Sequence, residues 1–400
     1  MKKLLLLGGL RYLIPVIESA HELGYYVITC DYLPDNIAHK YSDKYFNANI
    51  TDKEAILKLA KKQKVDGIMS FAVDPGVTTA AYVCEKLNLP SCGPYKSVEI
   101  LQNKALFREF LADNNFNVPK AKGYLEIEDA LADASFFKWP IIVKPVDAAG
   151  SKGVSKVLNV NAFENSIKNA ISYSPTKQFI VEEFIEQSGF PSDSDSLSID
   201  GELVFFTLSN QRFDSNAANP YTPAGFSWPS NMALKHQEEL RNEVQRLLSL
   251  LKMQTSVYNI EARVSTDNKV YIMEVAPRGG GNRLAEMVKL ASGIDLILYA
   301  VKAAVGEKIN LTEKPNYIDY WGEIILHSDK EGYFNRLFID EEIKHLIYEI
   351  DLWIKEGSFI KSFTGANETI GTIIIRGKNQ QQIDEIIANY KKWIKIFVNY

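Results

Sequence analysis

The chain has 400 residues, 46% of them hydrophobic and 24% charged, with a formal net charge of −5. This is the composition of a globular protein with more than one core, and without a basic excess it excludes nucleic acid as the main partner. Three cysteines, Cys30, Cys84 and Cys92, are too few and too scattered for a disulfide framework or a zinc site, and no apolar stretch approaches the roughly 18 residues of a membrane span. The opening Met1-Lys-Lys and its leucine run resemble a leader peptide, but the run stops at Gly8-Gly9 and Arg11 follows. A buried first strand over residues 3–7 is the expectation, in a cytoplasmic protein.

From there strands and helices alternate. A helix is predicted over 15–23, a strand over 26–30, a helix over 52–63, a strand over 66–70 and a helix over 77–88. That order gives a doubly wound parallel sheet. Gly8-Gly9 with a distant Asp31 suggests a dinucleotide fold. Positions 8–13, however, read Gly-Gly-Leu-Arg-Tyr-Leu and lack the third glycine of that fingerprint. A nicotinamide-dependent oxidoreductase is therefore the disfavoured rival.

A helix carrying Lys104 begins near Leu101, and a short amphipathic helix is expected over 126–137. Trp139-Pro-Ile-Ile-Val-Lys-Pro reads as a strand with Lys144 near its end. Gly150, Ser151 and Gly153 follow in a small-residue loop whose N–H groups suit phosphate oxygens. It is not a Walker loop, and its length suggests a lid. After a helix over 161–173, a strand runs into Glu182, Glu183, Phe184 and Ile185. That stretch suits a purine ring, although exposed glutamates at an ordinary strand end are the plainer reading. Two strands meet at Asp200-Gly201, a hairpin signal. Residues 210–231 lack periodicity, contain Pro220, Pro223 and Pro229, and are expected to be a long functional loop. A helix is predicted over 235–251.

Residues 257–276 then read as a β-hairpin around Ser265-Thr-Asp-Asn. With Asp267 and Asn268 central in the turn, Thr266 faces Lys269, Val264 faces Tyr271, Ala262 faces Met273 and Glu261 faces Glu274. Directly opposed side chains stand about 5 Å apart, so two carboxylates there repel. A hard divalent cation with oxygen ligands relieves them. Arg278 and three glycines follow at once, a setting for Mg-nucleotide phosphoryl chemistry. Helices are expected over 282–291 and 295–305, strands near 320–327 and 369–376, and a helix near 380–392. This last part reads as a packing domain with no catalytic constellation. The five histidines fall on separate elements without ligand spacing, and none is assigned a metal.

In order, the Asn103-Lys104 helix, Ile-Val-Lys144-Pro with its glycine loop, Glu182-Glu183-Phe184-Ile185, Asn259-Ile260-Glu261 and Glu274-Val-Ala-Pro-Arg278 resemble the ATP-grasp superfamily of carboxylate–amine ligases. The resemblance implies a parallel α/β domain over 1–95, a nucleotide-binding domain over 96–310 with a lid at about 121–181, and an α+β domain over 311–400. It implies that Lys104 and Lys144 contact the ATP phosphates or the adenine edge, that Gly150, Ser151 and Gly153 cover the phosphates, and that Glu182 to Ile185 hold adenine. Asp193 or Asp195 would hold the ribose. Glu261 and Glu274 would bind Mg²⁺, with Mn²⁺ as a substitute. Arg278 would steady the transferred phosphoryl group or the substrate carboxylate, and Gly280, Asn282 and Arg283 would line the substrate. Many members have Glu-x-Asn-x-Arg where this chain has Ala276, so water or a phosphate oxygen would replace one metal ligand. The implied reaction joins a small carboxylate to an amine through an acyl phosphate, with ADP and phosphate released and a homodimer as the expected assembly. A phosphoribosylglycinamide-synthetase-like or carbamoyl-phosphate-synthase-like enzyme, and a silent ATP-binding protein, stay open.

Overall fold

The computed structural model describes residues 1–311 and 314–399. Four parallel strands, β1 (Lys3–Leu7), β2 (Tyr26–Asp31), β3 (Lys44–Asn47) and β4 (Gly67–Ser70), stand in the order β3-β2-β1-β4. Leu4 to Leu7 are fully buried, as a strand covered on both faces requires. The crossovers are α1 (Ile14–Glu22), α2 (Lys53–Gln63) and, after β4, α3 (Asp74–Leu87). The chain leaves β1 towards β2 on one side, while β4 lies on the other. The crevice at the carboxyl ends of β1 and β4 is therefore a switch point, where such sheets bind ligands. Gly8-Gly9 and Asp74 stand at that edge.

Helices α4 (Tyr95–Gln102) and α5 (Lys104–Asp113) lead to a small antiparallel sheet. It comprises β5 (Ala121–Tyr124), β6 (Ile141–Pro145), β7 (Ser155–Val157) and β8 (Phe179–Glu183), ordered β5-β8-β6-β7. Helices α6 (Ile127–Ala132) and α7 (Phe163–Tyr173) cover one face around buried Phe163 and Phe179. A second antiparallel sheet is built from β9 (Ser192–Ile199), β10 (Glu202–Phe205), β13 (Ser256–Val264) and β14 (Val270–Ala276), ordered β10-β9-β13-β14. Helix α8 (Leu234–Leu250) packs Leu240, Val244, Leu247 and Leu248 beneath it.

Residues 210–231 are not one long loop. They form β11 (Asn210–Phe213) and β12 (Pro223–Trp228), joined by a turn. The prolines hide this in the sequence: Pro220 lies in the turn, Pro223 opens β12 and Pro229 follows it, all places a strand tolerates proline. Both strands join a five-stranded sheet, β11-β12-β15-β19-β17, with β15 (Tyr320–Leu326), β17 (Ile347–Leu352) and β19 (Gly371–Gly377). One sheet thus draws strands from both sides of the division expected at residue 311. Between β15 and β17 lie β16 (Gly332–Ile339) and α11 (Glu341–Lys344). Strand β16 pairs with β18 (Phe359–Ile360) and β20 (Ile394–Asn399) in a further antiparallel sheet. Phe226, Trp228, Trp321, Ile325 and Ile374 pack with α9 (Leu284–Ser292) and α10 (Leu296–Ala304) in the same core as β1. Among the described residues, no helix is long and apolar enough to cross a membrane.

Gly67 shows how closely β4 meets α10. A Cβ built there would lie 2.1 Å from the Ala304 carbonyl oxygen, which is backbone and cannot swing aside. Gly67→Ala is expected to lower stability by about 2–3 kcal/mol through overpacking, seen as a lower urea midpoint with an unchanged slope.

Candidate active site

The site is organised by one irregularity in the β13–β14 hairpin. Asn268 adopts a left-handed conformation at φ 61°, and Ser265 N–H donates to the Lys269 carbonyl at 2.9 Å. The loop is therefore one residue longer than a two-residue turn. Val264 faces Val270 and Ala262 faces Ile272, one register away from the expected pairs, and Ser265 rather than Thr266 meets Lys269. The register then shifts back between Glu261 and Ala262, leaving Met273 as the extra residue of β14. The two shifts cancel, and Glu261 faces Glu274.

Arg108 holds this bulge. Its Nη1 donates to the Met273 carbonyl at 2.8 Å, and its Nε donates to Glu182 Oε2 at 2.9 Å. Both side chains are only 3% exposed, so this is a desolvated pair rather than a surface contact. Lys144 Nζ donates to the other Glu182 oxygen at 2.5 Å. Burial alone would favour the neutral acid, but Arg108 and Lys144 hold the Glu182 carboxyl down to about 2. Burial lowers the Lys144 pKa, with Arg108 and Lys104 adding to the effect against the pull of Glu182. Arg108 had no motif to reveal it. The available signal was its place one helical turn after Lys104 on α5, on the same face.

Lys104 is the first residue of α5, whose start is capped by the Asn103 side chain through Ala105 N and Leu106 N. Its Nζ reaches Glu274 Oε2 at 3.3 Å and donates to the Ala148 carbonyl at 3.1 Å. Burial opposes charge on Glu274, yet Lys104, Lys144 and Arg278 keep its pKa low. Glu261 has no ion pair among the described residues, and burial together with the Glu274 charge raises its pKa.

Two more acids share this face. Asp193 pairs across with Glu261 and Asp195 with Asn259. Burial, then Glu261, raises Asp193 well above the carboxylate range. Burial raises Asp195 to about 7, against the Gly280 N–H and Arg278. Asn259 Nδ2 donates to Asp193 at 2.6 Å and to Asp195 at 3.2 Å, and Gly280 N–H donates to Asp195 at 2.9 Å. Both acids stand on the inner strand β9, beside Glu261 and Asn259 of β13 and the Gly280 N–H, whereas Glu182 and Glu183 end β8 in the other antiparallel sheet. Ala276 lies opposite Asn259.

Arg278 is 9% exposed. Its Nη2 and Nε donate to Asp74 Oδ1 at 2.6 and 2.9 Å, and its Nη1 to Asn259 Oδ1 at 3.3 Å. Asp74, at the start of α3, ties the parallel-sheet crevice to the hairpin. The sequence offered only its position after a strand end as a clue. The glycines after Arg278 serve close packing: a Cβ on Gly279 would strike the Phe71 ring at 2.1 Å. Asn282 and Arg283 both have left-handed backbones, φ 49° and 55°. Asn282 Oδ1 accepts from Tyr12 Oη at 3.4 Å. Arg283 donates to Glu286 at 3.0 Å and to Glu349 at 2.6 Å.

At the stretch expected to receive a purine, Glu182 is buried as the partner of Arg108 and Lys144 rather than exposed at a strand end. Glu183 Oε1 accepts from Lys138 N–H at 2.8 Å, and Lys156 Nζ lies 3.5 Å from the centre of the Phe184 ring. Ser151 Oγ donates to the Tyr221 carbonyl at 2.9 Å, and Asn219 Nδ2 donates to the Ser151 carbonyl at 3.0 Å, while Gly150 beside it is exposed. Gly153 has φ 71°. Glu261, Glu274 and the neighbouring Asp193, with Lys104 and Lys144 close by, form an oxygen-rich donor set that fits a hard divalent cation.

A family model described as "ATP-grasp domain" matches residues 137–286. The carbamoyl phosphate synthase large chain of Thermotoga petrophila is 26% identical over 297 residues, which cover 73% of this chain and 26% of that one. The chain thus spans about a quarter of the length of such relatives. Among solved structures, the L-amino acid ligase from Bacillus licheniformis superposes with a TM-score of 0.83 at 20% identity, covering 100% of this chain and 99% of the other. Phosphoribosylglycinamide synthetase from Anaerococcus prevotii gives 0.76 at 21% identity, with 100% of both covered. These superpositions show a common fold.

Arg108→Met leaves Glu182 buried with Lys144 as its sole cation and frees the Met273 carbonyl. A loss of about 3–5 kcal/mol is expected in urea unfolding at neutral pH. Because the folded-state pKa of Glu182 lies below its usual 4.5, its contribution is complete above that value and is lost as pH falls towards about 2. The difference between wild type and variant should shrink over that window, as followed by circular dichroism.

Proposed function

We propose that the protein is an ATP-dependent ligase that activates a carboxylate as an acyl phosphate and joins it to an amine, a reading supported by the match of residues 137–286 to a family model described as an ATP-grasp domain. ADP and phosphate are released. The observation that carries this reading is the Glu261–Glu274 opposition, flanked by Lys104, Lys144 and Arg278.

Each group has a role that follows from its place. Lys104 and Lys144 position the phosphates of ATP, with Gly150, Ser151 and Gly153 closing over them. The backbone of Glu182 to Ile185 and the Phe184 ring receive the adenine. Glu261 and Glu274 hold Mg²⁺, for which Mn²⁺ can substitute, and Asp193 beside Glu261 offers the oxygen that Ala276 lacks. Bound there, the cation would neutralise charge on the phosphate oxygens. Arg278, oriented by Asp74 and Asn259, faces the carboxylate or the transferred phosphoryl group and stabilises charge developing between them. The acyl phosphate carbon is then attacked by the amine; the C–N bond forms as the C–O bond to phosphate breaks. No protein nucleophile is needed.

The alternative reading is a phosphoribosylglycinamide-synthetase-like or carbamoyl-phosphate-synthase-like enzyme, the kinds of protein the chain resembles in fold and in sequence. A silent ATP-binding protein is disfavoured by Asp193, which supplies a third carboxylate despite Ala276. We place the enzyme in the cytoplasm, in keeping with its three free cysteines, and as a homodimer acting on small molecules.

Glu274→Gln keeps shape and removes charge. ADP release, measured with panels of amino acids and glycinamide-type precursors, is expected to fall at least ~100-fold, with an unchanged circular dichroism spectrum. Wild-type turnover in this variant would overturn the assignment.

A further inference from the structure

Three segments far apart in sequence meet at one side chain, Asn219. It lies in the turn between β11 and β12 and is half-buried. Its Nδ2 donates to the Ser151 carbonyl at 3.0 Å and to the Thr364 carbonyl at 3.1 Å, while its Oδ1 accepts from Tyr221 N–H at 3.0 Å. Its own backbone N–H donates to the Phe363 carbonyl at 3.1 Å. A side-chain amide can serve two carbonyls and an N–H at once, whereas a carboxylate lacks the donors and a hydroxyl has only one.

Ser151 belongs to the glycine loop assigned above to the ATP phosphates, and it makes a second tie to the same turn, from its Oγ to the Tyr221 carbonyl at 2.9 Å. Gly365 lies against this loop: a Cβ built on it would be 3.5 Å from the Gly150 carbonyl oxygen. The other end of the loop is held from within the site. There Lys104 Nζ donates to the Ala148 carbonyl at 3.1 Å and reaches Glu274 at 3.3 Å. The loop thus runs from the lysine beside the carboxylate pair to the Asn219 amide. The support on that far side is firm. Phe363 is fully buried, its N–H donates to the Ser328 carbonyl at 3.0 Å, and its ring stacks on His327 at 4.1 Å. His327 and Lys391 both meet one oxygen of Asp214, the residue after β11, at 3.1 and 2.6 Å.

We infer that Asn219 is a positioning residue for the phosphate-covering loop, catching Ser151 against residues 363–364 so that the last part of the chain helps to retain the nucleotide. The inference rests on the ligase reading for the task of the loop and adds the catch that holds it. Lifting the loop breaks both Ser151 bonds and docking remakes them, so the catch biases the loop towards its covering position.

Asn219→Asp keeps the shape and the acceptor for Tyr221 N–H but removes both side-chain donations. Trypsin cleavage after Lys152, within the loop, reports how often the loop is undocked, and cleavage after the exposed Lys177, ahead of β8, is the internal reference. Calorimetric titration of the full-length protein with MgATP reports nucleotide retention. In Asn219→Asp the cleavage rate after Lys152 relative to Lys177 is expected to rise at least ~10-fold, and MgATP affinity to fall at least ~5-fold. An unchanged ratio overturns the inference, including the case in which both sites are cut faster together, which is general loosening. A raised ratio with wild-type MgATP affinity overturns it as well. ADP release by the wild type with a carboxylate panel tests the ligase reading separately. ADP release together with an unchanged ratio in the variant refutes the catch and leaves the ligase reading. Both expected shifts with no ADP released from any carboxylate refute the ligase reading while the catch stands.

Discussion

Two like charges held face to face across a hairpin are the constraint on which the rest depends. Glu261 and Glu274 repel at neutral pH, and strand pairing gives them no room to separate. The protein tolerates this by surrounding the pair with Lys104, Lys144 and Arg278 and by fixing the backbone beneath it. Arg108 does the latter, joining the Met273 carbonyl to Glu182 in the neighbouring sheet. The same guanidinium therefore sets the register of the acids and places Lys144 beside them. Moving any of these groups alone would leave a buried charge without its partner.

The crevice of the parallel sheet meets this pair through Asp74 and Arg278. Two segments far apart in sequence are thus locked at the point where a substrate would lie between them. The glycines after Arg278 allow Phe71 to close against the loop, and Gly280 N–H is committed to Asp195.

Most of the strand and helix order was legible from hydrophobic periodicity, and the carboxylate pair from the turn cluster and the spacing of Glu261 and Glu274. The pairing of those acids came out as expected although the assumed turn was a residue too short, because the bulge at Met273 restores the register. A bulge has no signature in Ile-Met-Glu-Val, and its cause, Arg108, lies 165 residues away. Asp193 and Asp195 share one face of β9, since residues two apart on a strand must, and pairing with β13 puts Glu261 beside them, a neighbourhood that spacing along the chain does not reveal. Strands β11 and β12 were hidden by prolines that mark their ends. Glu349 of the last part of the chain meets Arg283 only in the folded protein, a pairing that sequence distance conceals.

The shared five-stranded sheet has a bearing on synthesis. Strand β12 finds its neighbour β15 only after Trp321 has been made to pair with Trp228. On a ribosome, at ~5–20 residues per second, that interval is on the order of ten seconds. During it an apolar strand bearing Phe226 and Trp228 is exposed to other nascent chains. The growing polypeptide therefore depends on shielding by holding factors, and a chain that stalls short of β15 would leave the ribosome with a sticky, unmatched edge.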